Sequence, residues 1–443
     1  MIAPLRRRRP GTGLTGRVAG GAGLVRVVCL AVVLLMAGAA PAAAHNVTAG
    51  ADLRFAQTIA GAELTVVIKG TTRVPGPLTI GVIAYQPVTG LPVGLEVRSV
   101  EDGHKATATA RAAPDPRYVE LAVERTGPHE LRLTAGNEVA VLPFRVLVER
   151  GSSGEFLIYG GLFAAALLLV GGLLTGALSR RTPAMLLAAG AAAAVTVAAM
   201  VVVFEPALPP APPDGAAPTV SARAGGRPFA QGRVATVPAR PAAGEEFTLR
   251  LDLVDGSTGH PVDDLILHHE ALAHVVVTSE DGTFFRHLHP LRTAPGRLEV
   301  RLRADRPGRF LAYAELERED SGGQLLTGGF QVTGGTTAVA EPPAARVVPV
   351  VRPSEPVAGR PATIELPIGV TPRPWLGMAG HLIVRSQDGS FLGHVHEMGS
   401  PAPRLRFTFS FPAAGRYLAW AQYATGDRIV TVPFTVDVTE ALP

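Results

Sequence analysis

The chain has 443 residues, a formal net charge of +4 and one cysteine. Six arginines and no acids fall within residues 1–44, so removing that segment turns +4 into −2, and a basic nucleic-acid binder is excluded. Cys29 lies in the same segment, which excludes a disulfide scaffold or a cysteine-ligated metal site from the remainder.

In chain order, residues 1–44 read as a secretory signal. Arg6–Arg9 form the positive start, Val27–Gly38 the apolar run, and Ala42-Ala43-Ala44 a small-residue cleavage site that would leave His45 as the new N-terminus. Residues 45–152 alternate short β-branched runs with Gly, Pro and Asp-Gly turns, the pattern of an antiparallel β-sandwich. Phe156–Leu178 and Ala184–Phe204 carry no charge and are each long enough to cross about 30 Å of hydrocarbon as a helix. Arg180 and Arg181 between them belong on the cytoplasmic side, which predicts a two-pass membrane protein with both flanking regions outside the cytoplasm. Gly172 and Gly176, four apart, predict close packing of the two helices. Neither span holds an ionisable residue, so the pair reads as an anchor and not as an ion pathway.

Residues 205–232 are rich in proline and glycine and read as an extended linker. Two further sandwiches follow, at 233–335 and 345–440, and they are copies of one another. His274 to His289 aligns without a gap on His381 to His396 at an offset of 107, and Gly308–Ala314 falls on Gly415–Ala421 at the same offset. Upstream the first copy carries an extra loop, with Gly259-His260-Pro261-Val262 and His268-His269-Glu270. The predicted fold class is therefore mainly β: three antiparallel Ig-like β-sandwich modules plus a two-helix transmembrane hairpin.

Nine of the twelve histidines lie between His260 and His396. Asp281-Gly282 and Asp388-Gly389 mark two-residue hairpin turns, and counting outward sets His274 opposite His289 and His381 opposite His396. His287 and His394 share the faces of His289 and His396, being two residues away. Each hairpin thus presents three imidazoles on one face, with opposed Cβ atoms about 5 Å apart. The other face (Val275, Val277, Phe284 and Leu288; Leu382, Val384, Phe391 and Val395) is apolar and belongs to the core. The histidine face is mixed, with Thr278, Glu280 and Phe285 in one copy and Arg385, Gln387 and Leu392 in the other, and is expected to be at least partly open.

Three convergent neutral imidazoles suit copper or zinc. Met378 and Met398 flank the second triad and would favour copper as soft thioether ligands, whereas His268, His269 and Glu270 offer harder donors near the first. Trp375 reads as a core tryptophan or a cover over the second site. A mature N-terminal His45 could chelate copper through amine and ring, as in a histidine brace, but His104 and His129, the only other histidines of that module, read as loop residues. There is no HExxH motif, phosphate loop or Ser-His-Asp arrangement, so an enzyme is the least favoured reading.

The string Thr258-Gly259-His260-Pro261-Val262-Asp263-Asp264-Leu265, with His274 and Phe285-Arg286-His287-Leu288-His289-Pro290 downstream, resembles a motif of bacterial secreted or membrane-anchored proteins of copper and heavy-metal handling. The resemblance implies a metal-binding β-sandwich without turnover, with His274, His287 and His289 as matching positions. The second copy departs from it at Glu397, which replaces the proline, and lacks the Gly-x-Pro-Val loop. The expected function is a membrane-anchored extracytoplasmic copper chaperone, buffer or sensor. The alternative is an Ig-like module that binds a protein partner, its histidines incidental or pH-responsive.

Overall fold

A computed structural model describes residues 46–47, 52–86, 88, 90–149, 153–204, 212–217, 229–319, 321–335, 347–397, 402–426 and 428–440. Residues 1–45, which include the expected signal segment, Cys29 and His45, lie outside the described residues, as does Met398.

The chain forms two compact units, and one of them contains the two apolar helices. Helix α1 (Ser153–Leu174) and helix α2 (Arg181–Phe204) are each long and apolar enough to cross a membrane, with mean hydropathies of 2.3 and 2.4 over the spans. They pack as a hairpin at glycine. A Cβ on Gly161 would stand 2.8 Å from the Ala194 carbonyl, and one on Gly172 2.6 Å from Leu187. Gly176, expected in this contact, instead adopts a left-handed φ of 67° beyond the end of α1, so α1 stops at Leu174, short of the predicted Leu178.

The other unit holds three immunoglobulin-like sandwiches of antiparallel sheets. In the N-terminal module, strands 53–59, 62–69, 76–84 and 119–123 face a sheet built on 138–146, 127–135, 92–99 and 105–111, with a short parallel edge strand at 46–47. His129 belongs to this second sheet. It is a buried strand residue opposite Ser99 and Phe144, not the loop residue predicted. Part of the expected linker is docked too: Asp214 bridges Val148, and the Arg145 guanidinium donates to the carbonyls of Gly215 and Ala216.

In the first repeat the sheet of 230–237, 246–255, 297–303 and 291–294 covers the sheet of 308–318, 273–279, 285–288 and 322–332. The second repeat copies this with 350–352, 361–366 and 405–410 against 380–386, 392–397, 415–425 and 428–438. Leu405–Ser410 alternates buried and exposed, the mark of a strand with one face in a core and one in water. Ala273–Ser279 is buried at every position, so both of its faces are covered.

The duplication is more exact than the sequence suggested. Ile266 pairs with Glu317 and Arg373 with Ala424, and the bridge His268–Ala271 recurs as Trp375–Met378, all at the offset of 107. The segment His268-His269-Glu270 is therefore not extra: it is the counterpart of Trp375-Leu376-Gly377. Both turns need left-handed backbone, at His269 and Glu270 in one and at Leu376 and Gly377 in the other. The insertion lies upstream, around Gly259–Val262, because Leu249 stands opposite Val300 whereas Ile364 stands opposite Phe407, an offset of 115.

A buried histidine junction as candidate metal centre

The hairpin registers agree with the sequence: Val276 faces His287, and His381 faces His396. The turns are wider than predicted. Ser279 N–H bonds the Phe284 carbonyl across a four-residue loop, and Asp281 accepts from Ser279 Oγ, Thr283 Oγ1 and Thr283 N–H. Widening by one residue on each strand keeps the parity, so each side chain stays on its predicted face. Val275, Val277, Phe284 and Leu288 enter the first core, and Leu382 and Val384 the second with Phe391 and Val395 packed against it.

The expectation of an open histidine face is overturned. Each hairpin lays that face on the other, and His274, His289 and His381 are only 0–1% exposed. The interface is reciprocal, as in a two-fold dimer, but within one chain. Phe285 stacks on Trp420 at 4.6 Å, and their counterparts Leu392 and Tyr313 share the same apolar cluster with Val276 and Ile383. Arg385, fully buried, donates to Thr278 Oγ1 and to the carbonyls of Ser279 and Glu280 across the junction, which meets the cost of burying a guanidinium without a carboxylate.

This packing merges the two triads. His274, His287 and His394 place their ligand atoms within 4.8 Å of one another, and so do His381, His394 and His396. His394 is common to both. Five of the six rings are held by one nitrogen each. His289 Nδ1–H donates to Glu63 at 2.6 Å, His287 Nδ1–H to Gln422 Oε1 at 2.9 Å and His394 Nδ1–H to Glu315 at 2.8 Å. His274 and His381 donate from Nε2 to the carbonyls of His268 and Trp375, at 3.0 and 3.1 Å. Glu315 and Gln422 are repeat equivalents, so each copy orients the middle histidine of the other.

The remaining nitrogens of these rings face each other. His274 Nδ1 lies 3.2 Å from both His287 Nε2 and His289 Nε2, and His381 Nδ1 lies 3.3 Å from His394 Nε2. His396 Nε2 is buried without a hydrogen-bond partner. Burial holds His274, His287, His381 and His394 well below the ordinary imidazole pKa, and His396 at about 3, so these rings are neutral and their lone pairs free.

Two residues are nearer the centre than expected. Trp375 is both core and cover: it is buried, with its ring 4.8 Å from His381, 5.6 Å from His287 and 6.0 Å from His289. His269 lies with its ring 3.9 Å from His396 and 4.0 Å from His268, whose Nδ1 meets Glu317. Met378 is half-buried on the turn beside Trp375.

The N-terminal module closes one side, a role the sequence did not reveal. Thr58 N–H donates to the His289 carbonyl, while Thr58 Oγ1 accepts from His289 N–H and donates to Glu63. Tyr85 Oη–H donates to the Pro374 carbonyl; the module also touches the first repeat's turn, where Arg54 pairs with Glu270 and Ala56 N–H donates to its carbonyl, leaving His268 and His269 partly exposed. Glu315 and Gln422 had one visible sign, a polar residue interrupting an apolar strand just past the duplicated Gly308–Ala314 and Gly415–Ala421. Glu63, 226 residues from His289, had none.

A sequence family described as a domain of unknown function, DUF8832, matches residues 230–335 and again 350–440. No curated protein matches the chain. Among solved structures, the chain is similar to FdeC, an adhesin of Escherichia coli (13% identity, 91% of this chain and 99% of that one, TM-score 0.16). It is also similar to invasin, a bacterial integrin-binding protein (11% identity, 85% and 60%, TM-score 0.17), and to a two-domain fibronectin type III segment of chicken tenascin (12%, 47% and 97%, TM-score 0.16). At these scores the likenesses lend weight to no functional reading.

Proposed function

We propose that this chain is a membrane-anchored, extracytoplasmic metal-binding protein whose two C-terminal repeats close on one histidine centre for copper, with zinc as the competing ion. One observation carries the reading: inward-facing imidazole nitrogens converge at 3.2–3.3 Å, and the outer hydrogen bonds of the neutral His274, His287, His381 and His394 rings leave lone pairs on those nitrogens. Two nitrogens bound at 2.0–2.1 Å to a tetrahedral ion stand about 3.3 Å apart. Left without a cation, the same contacts set acceptor against acceptor in a buried site, a costly arrangement. The Glu63–His289 and Glu315–His394 pairs supply the outer carboxylates that orient metal-binding rings. The helices would serve as the anchor, with Arg180 and Arg181 on the cytoplasmic side.

Titration of the intact chain in detergent micelles with Cu(I), Cu(II) and Zn(II) tests this. No binding tighter than about micromolar, with no metal in protein purified from its native membrane, sinks it.

A second reading follows from the fold. Immunoglobulin-like modules commonly present surfaces to other proteins, and here the histidines would staple two repeats into one rigid partner-binding body. If the double substitution His287→Ala with His289→Ala altered partner binding but no metal affinity, this reading would replace the first.

A further inference from the structure

The pseudo-two-fold gives the histidine centre two equivalent sides, and the chain has made them different. On one side stand Trp375 and Leu376, 1% and 0% exposed, packed with Ala56, Tyr85 and Ala424. Behind them His289 is sealed by Glu63 and Thr58 of the N-terminal module. At the same positions on the other side stand His268 and His269, both partly exposed, with 34% of the His268 side chain accessible.

The rings continue inward from there. His268 to His269 is 4.0 Å between centroids, His269 to His396 is 3.9 Å, His396 to His394 is 4.5 Å and His394 to His287 is 5.1 Å. This side also carries Glu315 on His394 and Glu317 on His268, where the closed side has Gln422 and Ala424. A buried ion site needs an entry path, and a path for a cation is best lined by exchangeable neutral ligands with carboxylates beside them. The orphaned Nε2 of His396 sits where the outer pair meets the buried rings.

Resting on the metal reading above, we propose that the ion enters by the His268–His269–His396 side, passing from ring to ring, while the Trp375 side stays shut. His268 and His269 act in transit and are not ligands of the final site.

The test follows uptake of Zn(II) from a coloured chelator by the intact chain in micelles, in a stopped-flow instrument, with Cu(I) as second probe. His269→Leu copies the residue that already occupies the equivalent left-handed position at Leu376, and His268→Gln spares the carbonyl that holds His274. Both variants should take up metal about tenfold more slowly, with equilibrium affinity within about threefold of wild type. Unchanged uptake rates in both variants, beside a wild type that binds, overturn the entry route. So does an affinity that falls in step with the rate, because the outer rings would then be ligands of the final site. A wild type that takes up neither ion removes the metal reading itself, a result distinct from either.

Discussion

The two repeats share a backbone, a register and three histidines each, yet they treat their histidines differently. In the first copy the third histidine, His289, is locked to Glu63 of another module; in the second its counterpart His396 has a buried Nε2 without a partner and a loop histidine against it. The middle histidines differ by one functional group, since His287 leans on an amide and His394 on a carboxylate. Around the centre the two copies keep their six histidines and differ in what touches the rings from outside. The inner constellation was kept, and access and charge were changed.

The largest effect that separates this joined centre from two independent open hairpins is in pH dependence. His274, His287, His381 and His394 titrate well below 6.5 in the folded chain because burial disfavours their charged form. The unfolded chain takes up those protons below pH 6.5 and the folded chain does not. Stability is therefore full above that pH and is lost as pH falls. Each ring that stays neutral loses about 1 kcal/mol between pH 6.5 and 5.5, where the unfolded imidazole goes from half to nearly fully protonated, so four cost roughly 4 kcal/mol across that unit. Thermal melts of metal-free protein across this window should fall steeply, whereas a flat profile would mean that the two histidine faces are solvated.

Removing the aromatic stack attacks the junction away from the rings. Trp420→Ala deletes the partner of Phe285 and should destabilise the repeats by about 3–5 kcal/mol in denaturant titration. Its repeat equivalent Tyr313 makes one hydrogen bond across the junction, to the Gly389 carbonyl, and Tyr313→Phe should cost only about 1 kcal/mol. Equal losses would mean that the reciprocal contacts are not the source of cohesion.

Much of this was legible in the sequence. The Asp-Gly turns fixed the parity of both hairpins, and period-two alternation placed Val275, Val277, Leu382 and Val384 inside. What lay against the histidine face was not legible. That face reads as mixed because its large residues (Phe285, Leu392) stand opposite Thr278 and Arg385, which become buried only when each finds its partner on the other repeat. Propensity and periodicity describe one strand at a time, and docking between modules is set by surfaces that no local pattern encodes. The sealing role of Glu63 and Thr58 escaped for the same reason.

His394, the ring common to both nitrogen groups, distinguishes one centre from two. With one free nitrogen it serves one ion at a time. His394→Ala should lower metal affinity by more than about 100-fold, beyond the 10–100-fold range of outer-shell partners. If instead a first ion bound as tightly as in wild type and only a second were lost, His274, His287 and His289 would constitute a complete site of their own.

The smallest expected effect comes from exchanging the two groups that differ by symmetry. Glu315 is half-buried and desolvation raises its pKa, yet His394 Nδ1 holds it at 2.8 Å; its counterpart Gln422 takes its orientation from donating to Thr431 Oγ1. An ionised carboxylate makes the bound ring more basic than an amide can, so Glu315→Gln should weaken the metal affinity about tenfold, the low end of the outer-shell range. Gln422→Glu should strengthen the pull on His287 by a similar factor. The double exchange, which only swaps which repeat bears the charge, should leave equilibrium affinity near wild type, because His287 and His394 meet in the same nitrogen group. It should slow loading, however, because the carboxylate would then stand on the shut side beside Trp375. Isothermal titration of the three variants, read beside their uptake rates, separates the charge needed to hold the ion from the charge needed to admit it.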